Sequence, residues 1–199
     1  MKPKIITFEG IDGAGKSTLV KSLRDHFTAK GLSVFHTWEP WSVTEIDPDP
    51  FIATMQLMID RRRQCAMIRE ISDQYDLILI DRFDLSTVAY QGYGDGIDLG
   101  LIQRLNDDAT EDIEVTSRIW LDLPVGVAVE RLHARGENVT DNERSRLSRI
   151  CKGYSLMYLR RDVYAVADFR HVQRLKYLQA HQSPDAMLKH AIEIIEEVL

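Results

Sequence analysis

Eight residues near the start of the chain, Gly10-Ile11-Asp12-Gly13-Ala14-Gly15-Lys16-Ser17, have the form G-x-x-x-x-G-K-[ST]. Glycines at that spacing let successive backbone N–H groups turn inward onto phosphate oxygens, and a helix starting at the lysine adds the positive end of its dipole. The chemistry this suits is binding of a nucleoside triphosphate with its magnesium ion. Gly10, Gly13, Ala14, Gly15 and Thr18 would cradle the phosphates, Lys16 would reach the outer ones, and Ser17 would ligate Mg²⁺. Such a loop needs a strand before it and a helix after it. The apolar run Ile5-Ile6-Thr7-Phe8 and the amphipathic stretch after Ser17 supply both, which outweighs the bland reading of a glycine turn with a solvated lysine.

The rest of the composition narrows the class. At 199 residues the chain fits one domain with a core of ordinary size, here taken as residues 1–199 with a mobile lid at about 135–145. No run of about 18 apolar residues and no export signal is present, so the sequence predicts a soluble, cytoplasmic protein without membrane contact. A net charge of −6 argues against a nucleic-acid partner, which would demand a basic face. Cys65 and Cys151 lack ligand spacing and read as buried thiols, and the six histidines are scattered as packing or surface residues. Against the acidic background the arginines at 61–63 and between 131 and 149 stand out.

The elements that must position the loop follow in order. Residues 4–9 read as a strand, 16–29 as a helix closed by Lys30-Gly31, and 32–38 as a second strand, making a βαβ unit. Residues 41–50, with Pro48, Pro50, Asp47 and Asp49, read as a loop. Helical spacing resumes from 51 to 74, with Met55, Met58, Ile59 and Ala66 on the inner face. Leu77-Ile78-Leu79-Ile80 is a buried parallel strand closed by Asp81, an acid placed to hold the metal's hydration shell. Residues 82–94 are polar and glycine-rich and read as a binding loop holding one helical turn, at the strand end where doubly wound sheets place ligands. Helix at 97–108, strand at 118–123, helix from Pro124 to Ala134, a charged lid at 135–145, helix at 146–169, strand at 172–178 and helix at 186–198 complete a doubly wound, five-stranded parallel α/β fold. Tyr154 and Tyr158 read as packing residues of the long helix.

With these residues in view, the chain resembles the thymidylate kinases, nucleoside monophosphate kinases of the P-loop class. The segment from Ile6 to Thr18 is similar to their opening, Asp81-Arg82-Phe83 to their Asp-Arg-Tyr or Asp-Arg-His signature, and Asp84 through Gly92 to the stretch after it. Leu121-Asp122-Leu123-Pro124 with Arg131 and Arg135-Gly136-Glu137 resembles the approach to the lid. The resemblance is collinear from residue 4 to about 160. It implies ATP- and Mg²⁺-dependent phosphorylation of dTMP in nucleotide biosynthesis, small nucleotides as partners, and a homodimer built through helices. By the same resemblance, Asp12 lies near the sugar 3′-hydroxyl and acceptor phosphate, Arg82 binds that phosphate, and Asp81 sits beside the metal. Arg61 of Asp60-Arg61 faces a base carbonyl, Thr87 and Gln91 line the base, and Tyr90 fills the space of a ribose 2′-hydroxyl.

Departures from the family pattern mark a divergent member, such as a viral one. Leu57 stands where an aromatic ring usually stacks on thymine. Trp38-Glu39-Pro40-Trp41 replaces Arg-Glu-Pro-Gly, with Glu39 kept at the acceptor site. The stretch between Pro40 and Phe51 is short, and Asn138-Val139-Thr140-Asp141-Asn142 replaces the lid's Asp-Arg pair. Because the phosphate loop carries Gly13-Ala14 and no arginine, the transferring phosphoryl must be clamped by Arg131 or Arg135, with Arg144, Arg146 and Arg149 behind them. Two alternatives stay open: a kinase for another deoxynucleoside monophosphate or for several, and an ATP-responsive switch without phosphoryl transfer.

Overall fold

The structure is a computed structural model of the chain and describes residues 2–111, 113–159 and 174–199. Its elements are β1 (Lys4–Glu9), α1 (Lys16–Ala29), β2 (Val34–Trp38), α2 (Pro50–Ile71) with a closing 3₁₀ turn (Ser72–Gln74), and β3 (Leu77–Asp81). They continue with α3 (Asp84–Thr87) running into a π-helical segment (Val88–Gly94), α4 (Leu99–Thr110), β4 (Ser117–Asp122), α5 (Val125–Ala134), α6 (Asp141–Leu159), β5 (Leu175–Gln179) and α7 (Pro184–Glu196). The five strands form one sheet in the order β2-β3-β1-β4-β5, every pairing parallel. No described helix is long and apolar enough to cross a membrane.

Strand periodicity divides the core. Leu77 and Leu79 of β3 join a cluster with Leu23 and Phe27 of α1, while Ile78 and Ile80 join Cys65 and Ile68 of α2 on the other face. Helix ends follow the chemistry of their flanks. Asp49 caps α2 by accepting from Phe51 N at 2.8 Å and Ile52 N at 3.0 Å, and Ser183 caps α7 through Ala186 N at 3.3 Å, with proline at the first helical position in both. α1 is different: the residue before it is Gly15, left-handed at φ 89°, and no side chain among the described residues caps it. Its N-terminal amides are thus left for an outside acceptor.

Register assembles the site. Phe8 and Trp38 both pair with Asp81, so β1, β2 and β3 end level with one another. Arg82 N donates to Phe8 O and Glu39 N to Asp81 O, each at 2.9 Å, which fastens the loops leaving the three strands side by side.

Several sequence expectations are corrected. β2 begins at Val34 rather than Leu32, because Leu32 N donates to Phe27 O and closes α1 behind Gly31. Residues 84–94 are helical rather than a loop with a turn in it; Leu85, Val88 and Ala89 are buried at helical spacing. The glycines there serve packing: a Cβ on Gly92 would come 2.4 Å from Leu99, and one on Gly94 2.8 Å from Ile150. The inner face of α2 is polar where a methionine stripe is expected, with Asp60, Arg61 and Gln64 buried beside Met58 while Ile59 and Ala66 face outward. The α2 helix itself stops at Ile71, and 72–74 is the 3₁₀ turn.

The segment read as a lid keeps only 135–140 as loop, since α6 starts at Asp141. Thr140 and Glu143 cap each other's backbone, with Glu143 Oε2 accepting from Thr140 N at 2.7 Å and Glu143 N donating to Thr140 Oγ1 at 3.3 Å. The expected extension of that helix to Phe169, and the expected start of the last strand at Val172, lie outside the described residues. Tyr154 is buried and stacks on Trp120 with ring centroids 6.2 Å apart, the packing role expected of it. Cys65 is buried and Cys151 half-buried, both as free thiols.

Candidate active site

The phosphate loop leaves β1 and turns through Gly10, Gly13 and Gly15, all at positive φ. A side chain on Gly10 would meet Leu121 O at 2.6 Å, and one on Gly13 would meet Ala128 O at 3.2 Å, so the loop's back is flush against β4 and α5. Lys16 Nζ folds over the loop and donates to the carbonyls of Gly10 and Ile11, each at 2.9 Å. Burial, with Arg82 nearby, pushes the lysine down to about 7. A lysine held this way gains charge when an anion enters.

Ser17 and Asp81 meet beside it. Ser17 Oγ donates to Asp81 Oδ2 at 2.5 Å, while the other carboxylate oxygen, Oδ1, is buried with no partner among the described residues. A hydroxyl and a half-satisfied carboxylate are hard oxygen donors of the kind magnesium takes, so the residues fit that ion.

Arg82 follows Asp81 in the left-handed region at φ 68°. For a non-glycine residue that costs on the order of 1–3 kcal/mol, and it swings the guanidinium back over the phosphate loop. Arg82 donates to Gly10 O at 3.1 Å, the carbonyl that Lys16 also uses, and pairs with Asp12. Tyr90 Oη completes the group by donating to Asp12 Oδ2 at 3.0 Å, and the Arg82 guanidinium lies 4.9 Å from the centre of the Tyr90 ring. Desolvation opposes ionisation of Asp12, but Arg82, Lys16 and the tyrosine hydroxyl together hold its carboxyl below the usual range.

A cavity of about 190 Å³ opens beyond this cluster. It is lined by Asp12, Glu39, Leu57, Arg61, Arg82, Thr87, Tyr90 and Gln91, which are all the residues the sequence assigns to the acceptor, together with Pro40, Ile46 and Ser86. Arg61 is fixed at its floor. Its Nε and one terminal nitrogen bind the two Glu39 oxygens at 2.8 and 2.5 Å, that same nitrogen reaches Phe83 O at 3.1 Å and Thr87 Oγ1 at 2.9 Å, and the other holds Asn106 Oδ1 at 2.5 Å. Glu39 is held above the usual carboxylate range by burial even with that pairing. The Gln91 side chain, 7% exposed, has no hydrogen-bond partner among the described residues.

The arginines that the sequence offers as clamp candidates fall in different places. Arg131 donates to Gly13 O at 3.0 Å and Ala180 O at 3.2 Å, bracing the phosphate loop from the side. Arg135 is exposed at the end of α5, where the 135–140 loop begins, and Arg144 is exposed on α6. Arg149 donates to Gly94 O at 3.1 and 2.9 Å. Arg146 is the one beside the acceptor cluster, gripping Asp95 with two bonds at 2.5 and 2.7 Å and lying 5.5 Å from the centre of the Tyr90 ring. The sequence carries a signal for this placement, since Arg146, Arg149, Ile150, Gly153 and Tyr154 recur along one helix face.

One buried acid escapes a reading from sequence alone. Glu9, the last residue of β1, accepts from Phe83 N at 3.1 Å and Ser86 Oγ at 2.6 Å. Burial first, and then the charge of Asp84, push it up to about 8.

A family model for thymidylate kinase matches residues 8–162. The chain belongs to the thymidylate kinase family. Thymidylate kinase from Prosthecochloris aestuarii is 34% identical over 205 residues, spanning 96% of this chain and 92% of that protein. The enzyme of the same name from Synechococcus sp. (strain CC9902) is 34% identical over 178 residues, spanning 79% and 85%. Among solved structures, thymidylate kinase from Ehrlichia chaffeensis matches with a TM-score of 0.72 at 22% identity over 98% of this chain and 99% of its own, a likeness of fold. The family's phosphate loop and Asp-Arg signature are thus the two strand ends that the Phe8–Asp81 register sets side by side.

Proposed function

We propose that this thymidylate kinase family member transfers the γ-phosphoryl group of ATP to dTMP, giving dTDP. The observation that carries the reading is the shared Gly10 carbonyl. Lys16 from the donor side and Arg82 from the acceptor side both reach it, so the triphosphate cradle adjoins the mouth of the cavity. Phosphoryl transfer asks mainly for in-line positioning and for neutralisation of spreading charge. Because the second pKa of a phosphate monoester is about 6, the acceptor is already largely dianionic and needs no strong base.

Each side chain then has one task. Lys16 meets the outer phosphates, Arg82 orients the acceptor phosphate, and Asp12 takes the sugar 3′-hydroxyl. Ser17 and Asp81 would hold Mg²⁺, which when bound supplies charge neutralisation between the phosphates. Arg135 reaches the transferring group when residues 135–140 close as a lid, and closure keeps water from it. Arg131 acts by fixing Gly13. The exposed apolar residues of α2, Phe51, Ile52 and Ile59, support a homodimer through that helix, readable by sedimentation velocity.

Two observations favour a second reading of broader base preference: Leu57 offers no ring to stack on, and Arg61 already serves Glu39, Asn106, Thr87 and Phe83. A panel of deoxynucleoside monophosphates with ATP separates the two. dTMP leading by about tenfold or more in kcat/KM, a gap of about 1.4 kcal/mol, supports the first. Lys16→Ala and Arg82→Ala both abolish turnover; near-parental rates in either refute phosphoryl transfer at this site.

A further inference from the structure

Tyr90 stands in the acceptor wall and packs its ring against the main apolar cluster. It sits in the π-helical stretch, followed by Gln91-Gly92-Tyr93-Gly94, where two of the next four residues have no side chain. Its polar and cationic contacts come from other segments: Asp12 at the hydroxyl, Arg82 over the ring at 4.9 Å, and Arg146 over the ring at 5.5 Å. The first two belong to the reaction, so their hold on the ring changes whenever an acceptor phosphate and sugar arrive. Arg146 is anchored elsewhere. Both of its bonds go to Asp95, which stands just past the π segment and is 13% exposed. That carboxylate compensates its charge and sets the plane of the guanidinium. α6 is itself locked to the π segment by Arg149 on Gly94 O and by the Tyr93 ring against Gly153.

We propose that Arg146, held by Asp95, is a positioning residue for acceptor specificity: it pins the Tyr90 ring in the place where that ring excludes a ribose 2′-hydroxyl. The inference rests on the reading of Tyr90 given above and adds its support from α6. Arg146 faces the ring and Asp95, with Asp12 also within electrostatic reach, and its side-chain hydrogen bonds all go to Asp95 rather than to the acceptor wall. A phosphate-binding arginine would behave differently, because it would serve deoxy- and ribonucleotides alike.

The test is kcat/KM for dTMP and for its ribo counterpart, ribothymidine 5′-monophosphate, with ATP, on the full chain and on Arg146→Ala, Arg146→Lys, Asp95→Asn and Tyr90→Ala. The expected result is a fall of about fivefold or more in the deoxy-to-ribo ratio for Arg146→Ala and for the isosteric Asp95→Asn, from faster use of the ribonucleotide, with kcat on dTMP held within about threefold. Arg146→Lys, which keeps a cation near the ring and the carboxylate, recovers part of the ratio. Equal losses on both nucleotides overturn the proposal and make Arg146 a phosphate ligand. A ratio that collapses in Tyr90→Ala and stays parental in Arg146→Ala and Asp95→Asn overturns the proposal while sparing the reading of Tyr90. A parental ratio in Tyr90→Ala removes that reading and the proposal with it.

Discussion

Replacing Arg61 with methionine keeps most of the volume of its stem and removes the guanidinium. The Glu39 carboxylate, Asn106 Oδ1 and Thr87 Oγ1 then lose their guanidinium donor, while Phe83 O keeps only Ser86 N. The Arg61 side chain is 1% exposed and that of Glu39 5%, so water cannot replace the missing donors without opening the cavity floor. Breaking a buried pair on one side costs about 3–5 kcal/mol, against a total stability of about 5–15 kcal/mol for a typical domain. Loss of Arg61 also removes the largest influence that keeps Glu39 ionised against burial, leaving Asp84 and Asp60 to raise its pKa further. A carboxyl whose folded pKa exceeds its unfolded value contributes stability below the unfolded value and loses it as pH rises through the folded one. The cost of Arg61→Met is therefore smaller in a mildly acidic assay, about pH 5, than in a mildly alkaline one, about pH 8, because a carboxyl raised by burial is more easily neutralised as pH falls. Urea unfolding followed by circular dichroism at both pH values reads it, and adding Glu39→Leu removes the pH dependence. A loss under about 1 kcal/mol at the higher pH would refute the reasoning, because it would mean the pair is solvated.

Two further outcomes follow from the packing. Glu9→Gln cannot ionise, whereas Glu9 is raised from 4.5 to about 8 and so loses its contribution as pH climbs through that range; the variant gains on the parent by a few kcal/mol, on the order of the shift at about 1.4 kcal/mol per unit, between pH 5 and 9 in urea melts. Equal slopes for the two proteins would place the Glu9 carboxyl in water. Gly153→Ala puts a Cβ within 2.6 to 2.9 Å of the Tyr93 side chain, its Cβ included, so the π segment must shift; overpacking of this sort costs about 1–3 kcal/mol, and KM for the acceptor rises while that for ATP holds. An unchanged melting temperature and KM would show that Tyr93 is free to turn away.

Much of this molecule was legible because motif and element coincide. The phosphate loop, Asp81-Arg82 and the strands around them follow from short-range rules: glycine for positive φ, unbroken apolar runs for buried parallel strands, and an acid at a strand end. What stayed hidden depends on neighbours far along the chain. Gly92 and Gly94 look like turn residues until Leu99 and Ile150 are seen filling the space beside them. The polar inner face of α2 makes sense only once Glu39, 22 positions from Arg61, lies opposite. The Thr140–Glu143 capping box was readable from spacing, but the lack of apolar residues around it obscured the start of α6. Arg146 could be seen to share a helix face with Tyr154, yet nothing local says that Tyr90 lies across from it.

The level ends of β1, β2 and β3 set where this chain can change length. Within a strand, one residue gained or lost would turn alternate side chains to the opposite face, carrying Asp81 away from Ser17 and Arg82 away from Asp12 without altering any reactive group. The connection between Pro40 and Phe51 has no such phase to keep. Insertions and deletions among descendants of this gene should collect in that connection and spare the strands, even at codons for residues that never touch a nucleotide.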